Sequence, residues 1–136
     1  METLDAYDLA ILQHLQEDGR LTNTELAQRV GLSAAPCWRR VRALEQAGFI
    51  RGYRAEIDRH KIGLGGLAFV RLDAAQIGAA SMRGLEQAIR ERPEIISCHY
   101  ISGTGTFELQ VVAADLEQFS RFAREVLLHL PNVKDM

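Results

Sequence analysis

Three arginines, Arg39, Arg40 and Arg42, crowd four consecutive positions that follow Trp38 and the small residues Ala34 and Ala35. A guanidinium is planar, permanently charged and able to donate two parallel hydrogen bonds, which fits a phosphate or the O6/N7 edge of guanine. Hydroxyls at Thr24 and Ser33, placed at helix N-termini, add donors where backbone amides already favour an anion. At about 100° per residue, Cys37, Val41, Leu44 and Gly48 share one side of a helix, and Ala35, Arg39, Arg42 and Gln46 share the other. Trp38 and Arg40 lie on opposite flanks. Such a helix buries one face and turns small side chains and arginines outward, as a helix lying in a DNA major groove must. The bland alternative is a solvated basic face on an ordinary helical domain. Trp38 either meets the sugar-phosphate backbone or packs on a neighbouring helix, with packing favoured. Cys37 reads as a small buried residue rather than a redox sensor.

The elements that would hold these groups follow from caps and periodicity. Leu4, Leu9, Ile11, Leu12 and Leu15 recur with helical spacing before Gly19, which predicts a first helix over Asp5–Glu17. Thr22-Asn23-Thr24-Glu25 fits a reciprocal capping box for a second helix that stops at Gly31. Ser33 caps a third helix that tolerates Pro36 in its first turn and ends before Gly48. Two helices joined by a glycine turn of this length form a helix-turn-helix.

Charge is distributed to match. The chain has 136 residues with a formal net charge of −2, which by itself argues against a polyanionic partner. Arg20 to Arg54, however, holds seven arginines against Glu25 and Glu45, a net +5, beside a −5 segment from Met1 to Gly19. Local potential is what a polyanion meets. Only Lys61 and Lys134 are lysines, a bias that genome composition explains equally well. The acidic N-terminus lacks the basic and apolar regions of a signal peptide, and no apolar run approaches the roughly 20 residues that span a bilayer. Two distant cysteines, Cys37 and Cys98, make no disulfide framework, so the cytoplasm is the expected compartment.

Beyond Gly48 the pattern changes. Phe49–Glu56 leans toward a strand or extended linker, and Gly63, Gly65 and Gly66 mark a boundary. The organisation expected is a helix-turn-helix domain (winged-helix-like) over 1–48, a linker over 49–66 and a second domain over 67–136. That domain reads as strand Leu67–Asp73, a helix on Met82, Leu85, Ala88 and Ile89, strands Ile95–Ser102 and Phe107–Ala113, and a helix capped by Asp115. The last helix carries Leu116, Phe119, Ala123, Val126, Leu127 and Leu130 as its stripe. The fold class is therefore α+β: a helix-turn-helix followed by a ferredoxin-like βαββα(β) domain lacking most of its last strand. One sheet face, with Phe69, Ile95, Ile101 and Val112, needs cover, and a second copy of the chain supplies it. Val133–Met136 only begins the final strand, so either the chain is a shortened form or assembly fills that edge.

Other chemistries find little support. His14, His60, His99 and His129 are scattered, and adjacent Cys98 and His99 point to opposite faces of a strand. No metal or cofactor is expected: phosphate-binding, dinucleotide and nucleophile-elbow motifs are absent from the sequence.

Leu21-Thr22-Asn23, Glu25-Leu26-Ala27, Val30-Gly31-Leu32-Ser33, Pro36-Cys37, Arg40-Val41, Leu44-Glu45 and Gly48-Phe49-Ile50 together resemble the Lrp/AsnC (feast/famine) transcriptional regulators. Ser102-Gly103 and Leu130-Pro131 with Val133 are similar to that family's effector-sensing half. The resemblance implies a regulator of double-stranded DNA that forms dimers and higher assemblies such as octamers, modulated by a small effector, typically an amino acid. It makes the helix Ser33–Ala47 the DNA reader; together with the chemistry of the residues themselves, the DNA contacts expected are Thr24, Ser33, Ala34, Ala35, Trp38, Arg39, Arg40 and Arg42. It makes Phe49–Glu56 a linker that pairs across the dimer. The effector pocket falls on Ser102, Gly103, Thr104, Gly105, Thr106 and Phe107, with His99 nearby. Family members often carry Gly-Asp-x-Asp-Tyr at that turn, whereas this chain has Gly103-Thr104-Gly105-Thr106-Phe107. An ammonium-pairing charge is lost while backbone amides remain for a carboxylate, so the effector differs, binds weakly or is absent. Two other readings stay open: a sirohaem-decarboxylase-like enzyme, kept alive by His99 and Arg71, and an oligomerisation partner without its own operator.

Overall fold

The computed structural model describes residues 3–136; Met1 and Glu2, counted above in the acidic segment, lie outside the described residues. The chain divides into two compact units, Met1–Glu56 and Ile57–Met136.

The first unit is three helices: α1 Ala6–Glu17, α2 Asn23–Val30 and α3 Ala34–Gln46. Their termini follow side-chain chemistry. Asp5 caps α1 reciprocally, its carboxylate accepting from the Asp8 amide at 2.9 Å while Asp8 accepts from the Asp5 amide at 3.1 Å. Thr22 accepts from the Glu25 amide at 3.1 Å. The expected return bond from Glu25 is not formed among the described residues, so the full box sits on α1 and only half of one on α2. Gly31 turns the chain with φ of 76°, a left-handed conformation that a Cβ would strain. Ser33 occupies the N-cap position of α3, but its hydroxyl makes no capping bond. Ile11, Leu26, Ala27, Cys37 and Leu44 form the buried core, with Leu12, Leu15, Val41 and Ile50 packed around it. Leu9, expected in this stripe, is exposed. Phe49–Glu56 forms no strand, since among the described residues its own unit offers no partner strand to satisfy the ladder. Ile50 nevertheless packs on the helical core, so part of the expected linker belongs to this unit.

The second unit contains β1 Gly66–Ala74, α4 Ala79–Arg90, β2 Ile95–Ile101, β3 Thr106–Ala113, α5 Leu116–Glu125 and β4 Val133–Asp135, with a short 3-10 turn at Leu127–His129. The sheet order is β2-β3-β1-β4, all neighbours antiparallel. This is the ferredoxin-like arrangement. Gly66 starts β1 where a Cβ would lie 2.9 Å from the Ala113 carbonyl oxygen. Alternation along β1 turns Val70, Leu72 and Ala74 toward the helices, where Leu85, Ile89, Phe107, Leu109, Val111, Ala123 and Leu127 complete the core. Burying each large apolar side chain contributes about 1.5–3 kcal/mol. Leu116 is exposed and lies outside the stripe expected of α5.

The opposite sheet face is open, with Phe69, Leu67 and Ile101 exposed. Two residues expected there do not need cover: Ile95 packs on the helix-side core, and Val112 is already buried. Strand β4 exists but pairs only with Asp73 and Ala74.

Candidate functional site

The three arginines of α3 have different fates. Arg40, expected to contact DNA, instead reaches α1: its Nη1 donates to Asp5 Oδ1 and Oδ2 at 2.8 and 2.7 Å and to Asp8 Oδ1 at 3.0 Å. Its guanidinium also lies over the Tyr7 ring, 5.2 Å from the centroid. The Asp8 amide and then the Arg40 guanidinium hold the Asp5 carboxyl below its ordinary range, and the two carboxylates raise Arg40 in turn. A side chain paired this way ties the third helix to the first while staying partly exposed. Arg39 and Arg42 form no ion pair among the described residues and are exposed.

Lowering the Asp5 pKa stabilises the fold above the unfolded carboxylate value, and that contribution is lost as pH falls through the folded value. Asp5→Asn, which keeps a competent N-cap, is therefore expected to melt lower than the parent chain at neutral pH. The difference should close in acid below the ordinary value of 3.8. A pH-independent gap in thermal melting would contradict the pairing.

Thr24, Ser33, Ala34, Ala35 and Trp38 are exposed as well. Trp38 is not packed on a neighbouring helix as expected: it is 54% exposed, and the Arg42 guanidinium lies over its ring at 5.5 Å. Sequence reasoning missed Asn23, whose side-chain amide donates to the Ala34 carbonyl at 2.8 Å and sets α2 against the start of α3. An Asn at the first position of a helix, facing a turn, was the available signal.

In the second unit the turn 102–105 joins β2 to β3, with φ of 132° at Gly103 and 80° at Gly105. Gly105 packs against the end of β1 and the loop after it: its carbonyl accepts from the Ala74 amide at 2.9 Å, and a Cβ there would meet Ile77 Cγ1 at 3.3 Å. Asn132, at φ of 65°, clamps the same loop. Its side chain accepts from the Gln76 amide at 2.7 Å and donates to the Gln76 carbonyl at 2.8 Å, while its carbonyl takes the Ala75 amide at 2.8 Å. Ser102, Gly103, Thr104 and Gly105 thus share one end of the sheet with Ala75–Ile77. Thr106 is buried, its hydroxyl donating to Asp73 Oδ1 at 2.6 Å. Phe107, expected to line an effector pocket, is 1% exposed and belongs to the core, edge-on to Tyr100 at 5.4 Å. Strand alternation forces this, since the residue after Thr106 must face the helices. His99 lies opposite Glu108 on the open face, with Arg71 on Glu108's other side. Cys98 turns to the helix side instead, near Glu86 and Arg90.

Residues 4–51 match the winged helix-turn-helix DNA-binding family, and residues 67–136 match the Lrp/AsnC ligand binding domain. The chain belongs to the Lrp/AsnC family. The leucine-responsive regulatory protein of Rhizobium meliloti is 43% identical over 130 residues, 96% of this chain and 83% of the relative. That of Escherichia coli K12 is 39% identical over 97% of this chain and 80% of its own length. Among solved structures, a Neisseria meningitidis transcriptional regulator in complex with L-Met has a TM-score of 0.90 at 40% identity, covering 98% of this chain and 86% of that one. An AsnC family regulator from Agrobacterium tumefaciens has a TM-score of 0.89 at 31% identity, covering 97% and 86%. As an Lrp/AsnC protein, this chain is a DNA-binding transcriptional regulator carrying a small-molecule ligand-binding domain. Its relatives are regulators, and no helix among the described residues is long and apolar enough to cross a membrane.

Proposed function

We propose that this chain is a sequence-specific regulator that reads DNA with α3 and responds to an amino acid or close relative held at the turn 102–105. The supporting observation is the contrast within α3: Arg40 is neutralised against α1, while Arg39 and Arg42 remain exposed and unpaired among the described residues. A face that merely solubilised the helix would have no need of that division. Thr24 and Ser33 contribute phosphate contacts at helix N-termini, and Ala34 and Ala35 allow close approach to the groove.

At the turn, Gly103 and Gly105 supply backbone amides for a carboxylate, and Thr104 offers a hydroxyl. The turn itself carries no acid, and one oxygen of nearby Asp73 is engaged by Thr106, so an effector's ammonium finds less charge here than at an Asp-bearing turn. The names of the relatives, leucine-responsive in the curated proteins and bound to L-Met in the Neisseria structure, favour the amino-acid class. Exposed Leu67, Phe69 and Ile101 give a second copy a surface to cover, and we extend the reading to a homodimer that assembles further, as an octamer, in the cytoplasm. The reading has no catalytic step.

Arginines that displace condensed counterions make binding to promoter fragments fall steeply as salt rises. No binding at low salt would sink the DNA reading. A thermal-shift screen of amino acids tests the effector: a ligand present at a hundred times its Kd stabilises by about 2.7 kcal/mol. A flat response across the whole set would remove amino acids from the reading.

A further inference from the structure

Trp38 stands apart from the rest of α3. It is more than half exposed, although an indole is the largest apolar group a helix can present. A single exposed apolar residue carries no message by itself, but this one is paired. Arg42, one turn further on, lies over its ring at 5.5 Å, within the distance of a cation–π contact. A guanidinium carries five N–H donors in its plane. Arg42 makes no ion pair among the described residues, so its donating edge is free beside the ring. Arg40 makes the opposite use of its group: its Nη1 edge is taken up by Asp5 and Asp8.

The indole brings an apolar surface beside that free edge, and the major groove offers one apolar feature to match, the 5-methyl group of thymine. We propose that Trp38 is a specificity-determining residue: it contacts the methyl of a thymine adjacent to a guanine read by Arg42, and its ring positions the Arg42 guanidinium for that base. The proposal rests on α3 being the DNA reader. It assigns a composite preference, guanine beside thymine, to two side chains four residues apart.

Selection of duplexes from a random pool with the full chain should return a guanine with a neighbouring thymine in each half-site. Replacing that thymine by uracil deletes one methyl and is expected to weaken binding about fourfold, the value of one buried methyl-sized group. Trp38→Ala should bind thymine and uracil duplexes alike, and Trp38→Phe should keep part of the difference. Selected sites without the thymine, or an equal uracil penalty in the parent chain and in Trp38→Ala, would overturn the proposal. The uracil comparison on the unmutated chain stands even if a variant folds poorly. Should neither Arg39→Ala nor Arg42→Ala weaken binding, α3 itself is not the reader. If Arg42→Ala weakens binding but the thymine methyl is without effect, only the role of Trp38 falls.

Discussion

Arg39→Ala and Arg42→Ala are each expected to weaken operator binding by about 1–3 kcal/mol, roughly 5- to 150-fold. The size follows from what an exposed guanidinium does in a groove. A bidentate contact to a base edge is lost whole when the side chain is truncated, and the base is left without its partner. A base-reading arginine loses little on unrelated sequences, whereas a phosphate-contacting one weakens all sequences and lowers the salt slope by about one. Titrating each variant against operator and scrambled duplexes at several salt concentrations separates the two roles. Arg40→Ala should behave differently, lowering the melting temperature of the helical unit because Asp5 and Asp8 lose their shared partner. Unchanged operator curves for both Arg39→Ala and Arg42→Ala would move the DNA surface off α3.

Phe107→Ala carries the largest expected cost to stability, about 3–5 kcal/mol. The ring is almost wholly buried, pairs in register with Leu72 on β1 and stands edge-on to Tyr100 at an interplanar angle of 63°. Its removal leaves a cavity between sheet and helices that close-packed neighbours fill only in part. Against a total stability of about 5–15 kcal/mol, that loss is enough to unfold much of the population at physiological temperature. Urea unfolding followed through the sheet unit measures it. A loss below about 1 kcal/mol would mean that the ring is not a core element, returning it to the turn as a ligand contact.

These two predictions also mark where sequence was informative. The caps at Thr22 and Asp115, the glycine turn at Gly31 and the alternation in β1 are local patterns, and they located the elements of both units. Arg40 and Phe107 were misplaced for different reasons. Arg40 sits on a flank at helical spacing, and its carboxylates are 32 and 35 residues away, a pairing that periodicity within α3 cannot contain. Phe107 lies at the junction of turn and strand, where a shift of one residue reverses the face. Asn132 was hidden more completely. Leu130-Pro131 signals only that a helix ends, while the three hydrogen bonds Asn132 makes to Ala75 and Gln76 depend on a left-handed backbone and a loop 56 residues distant. The outward face of α3 was legible because it is a property of one helix. The joining of the turn 102–105 to the β1–α4 loop was not, because it is a property of how three chain segments meet.

The two cysteines occupy contrasting settings, Cys37 with no exposure in the helical core and Cys98 exposed on β2. Burial raises both thiols above their ordinary value, with Glu86 adding to the effect at Cys98. Each unit thus carries one thiol, and the two differ in what must happen before a reagent can reach them. Cys98 reacts with the native chain at a rate set by its thiolate fraction. Cys37 reacts only when the helical unit opens, so its modification rate measures the free energy of that opening. The natural sequence therefore contains a reporter for the DNA-reading unit and an internal reference on the ligand-binding unit, and mass-resolved thiol labelling can follow how DNA or an effector stabilises one without any engineered probe.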